Sequence, residues 1–358
     1  MNVRPSQSIA AALLLAFAGL GAHAEGFAGL GRDAGNFAEV VPGRKLMFPA
    51  DLGAHPDFRI EWWYLTANLN DDAGNAYGVQ WTLFRQSIEP GSERQGWDNQ
   101  QVWMAHAAVT SADEHLASET LARGGIGQAG VTAAPFRAWI DNWSFVSTDI
   151  AASGGLSRSK VSASGANFSY ELNLAVDRPL VEHGEQGFSV KSDRGQASYY
   201  YSQPFFTAEG LLTIHGRPVR VAGQAWMDRE WSSRPLAADQ KGWDWFSLHL
   251  SSGEKLMIFR LRSEKDKPFT AGTWISADGT PKALQPGAIV MRPLSDSVIR
   301  DRKIPTAWQI EVKSRGLDIQ TAALNKDSWM ATSIPYWEGP VRIAGSHEGR
   351  GYLELTGY

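Results

Sequence analysis

Past residue 45 the chain alternates hydrophobic and polar positions, with Gly, Asn or Asp turn signals about every ten residues. The alternation is clearest over residues 59–68, 77–85, 102–109, 168–176, 219–227, 243–250 and 255–261. Successive side chains of a strand point to opposite faces. Many short strands joined by such turns predict an all-β protein, a sandwich or a barrel. Helical periodicity is nearly absent; residues 113–123 are too short and too polar for more than one surface turn.

The first 24 residues break the pattern. Arg4 precedes an almost wholly apolar run over residues 9–22, and Ala22-His23-Ala24 puts small residues where signal peptidase reads. The run is too short to span a bilayer comfortably, and no basic cluster follows it. The expectation is a signal peptide over residues 1–24, general export, and a periplasmic or secreted protein with no integral membrane span.

Composition narrows the class further. The chain has 358 residues, 43% of them apolar, which is enough for a sizeable core and two domains. A formal charge of −4 gives no footprint for nucleic acid. With no cysteine there is no disulfide, thiol nucleophile or cysteine-ligated zinc. A weak internal repeat supports two halves. Glu61-Trp62-Trp63-Tyr64-Leu65 leads through Gly74 to a strand ending Phe84-Arg85. Gly242-Trp243-Asp244-Trp245-Phe246 leads through Gly253 to one ending Phe259-Arg260. The expected division is residues 25–236 and 237–358, each half opened by a Trp-rich hairpin.

Several familiar sites fail on context. Gly125-Ile126-Gly127-Gln128-Ala129-Gly130 fits G-x-G-x-x-G, but no apolar strand precedes it and no helix follows. There is no G-x-S-x-G elbow and no Walker loop. Histidines 55, 106, 115, 183, 215, 249 and 347 are scattered, with no two in ligand spacing.

What stands out is aromatic strands carrying isolated polar groups. In residues 55–64, Arg59, Glu61 and Trp63 share one face, and an Arg–Glu bridge at a barrel mouth is the plain structural reading. In residues 224–231, Gln224, Trp226, Asp228 and Glu230 share a face. If that face lines an apolar cavity, a carboxyl there holds its proton above the ordinary range and can protonate an alkene. The alternative is a solvated strand end with Arg229 pairing to Glu230. Tyr199, Tyr201 and Gln203 point one way from their strand, and Tyr200 and Ser202 the other. His106, among small neighbours, is a further acid–base candidate.

These stretches, with Tyr336-Trp337-Glu338-Gly339 and the closing Gly351-Tyr352-Leu353-Glu354, resemble the AttH-like family of secreted proteins, relatives of carotenoid 1,2-hydratase. The resemblance spans roughly residues 45–358. It implies two lipocalin-like antiparallel β-barrel domains packed together and no cofactor or metal. For the hydratases it implies a hydro-lyase reaction, in which an aspartate protonates a double bond and aromatic rings stabilise the cation. Asp228, two residues after Trp226, matches that aspartate. Where hydratases carry His-x-Trp upstream, this chain has Tyr201-Ser202-Gln203.

The combined expectation is a pocket for an apolar, isoprenoid- or lipid-like small molecule. Asp228, Glu230, Tyr201 and His106 are its candidate catalytic residues, and Trp226, Trp63, Trp245 and Gln203 its ligand-binding ones. The competing classes are a carrier that performs no chemistry and a pericyclase-like cyclisation enzyme that orients one substrate. The N-terminal reading is tested directly: mass analysis of exported protein should find Glu25 or a near neighbour first, and intact Met1 there overturns it.

Overall fold

The computed structural model describes residues 27–358, so the expected signal peptide lies outside the described residues. The fold is almost entirely antiparallel β. A first meander runs through β1 (Ile60–Asp71), β2 (Ala76–Ser87), β3 (Gln101–Thr110) and β4 (His115–Arg123). A second runs through β5 (Ala129–Ala133), β6 (Phe136–Ile140), β7 (Trp143–Ile150), β8 (Leu156–Ser164) and β9 (Phe168–Ala175). Short β10 (Val181–Glu182) and β11 (Phe188–Val190) flank the long β12 (Ala197–Ile214), and β13 (Arg217–Ser232) returns to pair with β1.

The chain then enters a second sheet. It is built from β14 (Gln240–Leu250), β15 (Lys255–Ser263), β16 (Phe269–Ile275), β17 (Pro281–Ala283) and β18 (Ile289–Ile299). It continues with β19 (Arg302–Val312), β20 (Leu317–Ala323), β21 (Trp329–Met330), β22 (Tyr336–Gly345) and β23 (Gly349–Leu355). Both sheets pair their first long strand with their last, β1 with β13 and β14 with β23. The first curls into a nearly closed barrel and the second into a half-barrel. The repeated hairpins, β1–β2 and β14–β15, therefore occupy equivalent places. Each turn needs a left-handed residue and has glycine there, Gly74 at φ 84° and Gly253 at φ 93°.

Residues 113–123, expected as a surface turn, instead hold β4, which pairs with β3. Both faces of this strand are partly exposed, which blurs its period-2 signal.

Among the described residues, three large apolar cores follow from strand alternation, beside a small cluster of Ala108, Met330 and Tyr336. Trp63, Trp81, Trp103, Phe145 and Trp231 fill the first barrel, and Phe246, Trp308, Trp337 and Leu353 fill the second. The third lies between them, where Tyr64, Tyr200 and Trp226 meet Trp245, Met257, Phe259 and Tyr352. The sheets approach so closely that a Cβ on Gly78 would run into Tyr352 and Pro340.

An ion cluster inside the first barrel fixes the register of its central strands. Glu61 of β1, fully buried, accepts from Arg85 of β2 and, at 2.5 Å, from Arg229 of β13. The guanidinium of Arg229 lies 3.7 Å from the centre of the Trp63 ring. The expected Arg59–Glu61 pair is thus replaced, and the alternative pairing of Arg229 with the Glu230 carboxylate does not form. Arg59 donates to the Leu30 carbonyl, and Glu61 takes cross-strand cations because adjacent strands bring them to its own face. Burial by itself would raise the Glu61 carboxyl, but Arg85 and Arg229 outweigh it and hold it well below the usual range. That stabilisation is present above the unfolded-state pKa and is lost as pH falls through the folded one. Glu61→Gln leaves two buried guanidinium groups without a counter-charge. It should cost about 3–5 kcal/mol of stability in denaturant unfolding, and a cost below 1 kcal/mol would overturn this account.

Candidate active site

Asp228 and Glu230 project from the face of β13 opposite that cluster, into the seam between the sheets. Cross-strand neighbours share a face, so the register assembles the wall around them. Tyr64 and Ser202 lie on either side of Asp228, and Trp62 and Tyr200 on either side of Glu230. The other sheet contributes Trp243 and Trp245 from β14, Phe259 and Leu261 from β15, Tyr336 from β22 and Glu354 from β23. Together they line a cavity with about 100 Å³ of free space, open at its mouth.

Asp228 is 2% exposed and makes no ion pair among the described residues. Trp226 Nε1 donates to its Oδ1 at 2.7 Å, and Ser202 Oγ donates to the same oxygen. Burial is the dominant influence and raises this carboxyl. The bonds from Ser202, Trp226 and Tyr200 pull it back, nearby Glu230 pushes it up, and the result is about 7. Both the acid and the carboxylate are therefore present near neutral pH.

Glu230 differs in having a cation. Lys191 Nζ lies 2.7 Å from its Oε1, and Ser198 donates to the same atom. Across the cavity Glu354 accepts from Trp243 Nε1 at 3.0 Å. Burial, helped by Asp228 and Glu230 and opposed by the Trp243 bond, raises Glu354 to about 8. Its cross-strand partner Glu338 receives the Tyr64 hydroxyl, and burial first, then Glu354, raises it well above the ordinary value. The cavity thus has acids on both walls that hold protons unusually well.

Behind Asp228 runs a polar chain that reasoning from sequence did not find. His183 Nε2 lies 2.6 Å from Ser202 Oγ, and its Nδ1 lies 2.9 Å from Thr273 Oγ1 on β16. Because Ser202 gives its proton to Asp228, His183 donates from Nε2 and accepts at Nδ1. Burial, reinforced by Lys191, lowers His183 to about 3, so the ring is neutral.

The sequence-derived candidates divide. Asp228, Glu230 and Trp245 line the cavity, and Trp226 stands beside it, bonded to Asp228. Trp63 belongs to the interior of the first barrel and donates to the Leu52 carbonyl at 2.9 Å. Tyr201 is in the same interior, its hydroxyl 3.1 Å from the Asp51 carbonyl. Gln203 is occupied by the backbone of Leu156, as donor at 2.9 Å and acceptor at 3.1 Å. These three lie on the opposite face of their strands; one residue away, Trp62, Tyr64, Tyr200 and Ser202 face the seam. His106 sits behind the wall, between the Tyr336 hydroxyl and Glu119 at 3.0 Å each. Burial lowers its pKa despite Glu119. The missed acids Glu338 and Glu354 did carry a signal, each being a lone carboxylate in an aromatic strand.

The sequence model of the AttH-like family matches residues 39–358. The chain belongs to the AttH-like family. A solved structure offered as an AttH protein of Nitrosomonas europaea is 32% identical. That match covers 90% of this chain and 100% of the other, with a TM-score of 0.78. Kievitone hydratase from Nectria haematococca is 15% identical over 90% of this chain and 96% of its own, with a TM-score of 0.65. CghA, solved with Sch210972, is 14% identical over 91% and 98%, with a TM-score of 0.55. At such identities the last two establish a shared fold. No curated protein matches the chain. Among the described residues of this AttH-like protein, no helix is long and apolar enough to cross a membrane.

The balance at Asp228 is open to test. Ser202→Ala removes a bond that lowers this carboxyl, so its titration midpoint should move above about 7 in carboxyl ¹³C NMR. An unchanged or lower midpoint would show that Ser202 does not bear on the acid.

Proposed function

We propose that this AttH-like protein is an exported, cofactor-free hydro-lyase. On this reading it binds an apolar, isoprenoid- or lipid-like alkene between its two halves and hydrates it by acid catalysis. The observation that carries the reading is a carboxyl near pKa 7 without a counter-ion, buried in an aromatic cavity. Asp228 gives its proton to one alkene carbon, leaving a carboxylate and a carbocation at the other carbon. Water adds to that cation through oxygen, and the resulting oxonium returns one proton to Asp228. Tyr200, Trp62 and Trp245 line the same cavity, and on this reading their electron-rich rings stabilise the cation. The neutral His183 holds Ser202, and Ser202 with Trp226 orients the Asp228 carboxyl through Oδ1.

The likeness to kievitone hydratase supports this reading at the level of fold. Native mass spectrometry of protein taken from its own exported fraction should find an apolar molecule bound and so identify the substrate. On that molecule Asp228→Asn should retain binding and lose roughly a hundredfold or more of turnover. Wild-type turnover should fall as pH rises through about 7, because the acid form is the active one. Incorporation of ¹⁸O from labelled water identifies hydration. Full activity in Asp228→Asn overturns the assignment of the acid, and tight binding with no chemistry in the wild type leaves the carrier.

A further inference from the structure

A second pocket opens along the same seam, lined by Asn70, Gln224, His249, Ser251 and Arg350, with the backbone of Gly253 and Gly349. Gln224 is four residues from Asp228 on β13, which is about 13 Å of strand. Trp226, whose ring meets His249 edge-on at 5.7 Å, stands between the two sites.

His249 is the middle of a basic row. Its direct cross-strand partners are Lys255 on β15 and Arg350 on β23, so all three side chains share one face at neighbouring positions. His249 is 2% exposed and Lys255 3%. No carboxylate lines the pocket, and neither Lys255 nor Arg350 makes an ion pair among the described residues. Arg350 donates to the side-chain oxygen of Asn70 at 2.6 Å, and the Lys255 ammonium lies 5.3 Å from the centre of the Phe205 ring. Neither ring nitrogen of His249 has a hydrogen-bond partner. Nearby on the seam, Asn68 Nδ2, Thr66 Oγ1 and Ser247 Oγ are also buried without partners.

This arrangement is unfavourable in two ways: the Lys255 cation is buried without a counter-ion, and buried donors lack acceptors. An acceptor-only ligand bearing negative charge relieves both. We propose that this pocket binds an oxyanion, a carboxylate or phosphate group, held by Arg350 and His249, with the charge of Lys255 on the far side of His249 adding to the attraction. Burial lowers Lys255 to about 8 and His249 well below its ordinary value, shifts that a bound anion would reverse. The group belongs either to a free small anion or to the head of an amphiphile whose apolar part lies along the seam. The site does not depend on the hydratase reading.

Calorimetric titration of the mature chain with inorganic phosphate, acetate and octanoate tests this. Saturable binding of at least one, at one per chain, is expected. Arg350→Gln and Lys255→Met should each weaken it roughly tenfold or more, while Arg217→Gln, an exposed change elsewhere, leaves it intact. Octanoate binding far more tightly than acetate assigns the site to an amphiphile head; phosphate or comparable acetate binding assigns it to a free anion. The assigned ring nitrogens of His249 in the wild-type protein should shift on the same titration, a readout that does not depend on whether the variants fold. Absence of saturable binding by all three, equal affinity in folded Arg350→Gln, or an unmoved His249 ring would each overturn the proposal.

Discussion

The candidate site depends on the desolvation of one face of β13. A carboxyl on the outside of a β-barrel is ordinarily solvated and ionised. Here the second sheet covers that outside with Trp243, Trp245, Phe259 and Tyr352, so the exterior of one barrel becomes the interior of the molecule. Burial then becomes the dominant influence on Asp228, Glu338 and Glu354 alike. Neither half alone could produce this, since the strands that bear Asp228 and Glu354 belong to different sheets.

The two faces of β13 solve the problem of buried charge in opposite ways. Inside the barrel, Arg229 is matched by Glu61, and the pair is closed by Arg85 and stacked on Trp63. Outside it, Asp228 receives hydrogen bonds but no cation. A matched pair has little to gain from proton transfer, whereas an unmatched carboxyl in a dry wall is poised for it. The interior pair also sets the register of β1 against β13, which puts Tyr64 beside Asp228. A structural ion cluster thereby positions the chemical face one residue away.

Much of this was legible in the sequence. Alternation marked the all-β class, the Trp-rich hairpins and the shared face of Trp226, Asp228 and Glu230. It could not say which face of β1 or β12 looks into the seam, because period 2 defines two faces and names neither. Trp63 and Tyr201 have polar neighbours on their own faces, but those faces look into the barrel interior. Once Asp228 was singled out, its partners Tyr64 and Ser202 needed only the strand register, but register is set by contacts more than a hundred residues apart for Tyr64. His183 was beyond reach for a similar reason: its meaning comes from Thr273 on the other sheet.

The hydrogen bonds to Asp228 resolve a tension in using a buried acid. Burial without donors would push the carboxyl so high that it would surrender its proton poorly. Donors without burial would pull it down toward an ordinary aspartate, ionised at neutral pH and with no proton to give. Acid catalysis is most effective when the pKa lies near the working pH. The opposed influences of a dry wall and of Ser202, Trp226 and Tyr200 meet at about 7. The same donors serve the second half of the proposed reaction, since the carboxylate left after proton transfer finds them already in position. The neutrality of His183 matters here. A charged imidazolium behind Ser202 would favour the carboxylate and lower the acid, so burying that ring helps to keep the proton on Asp228.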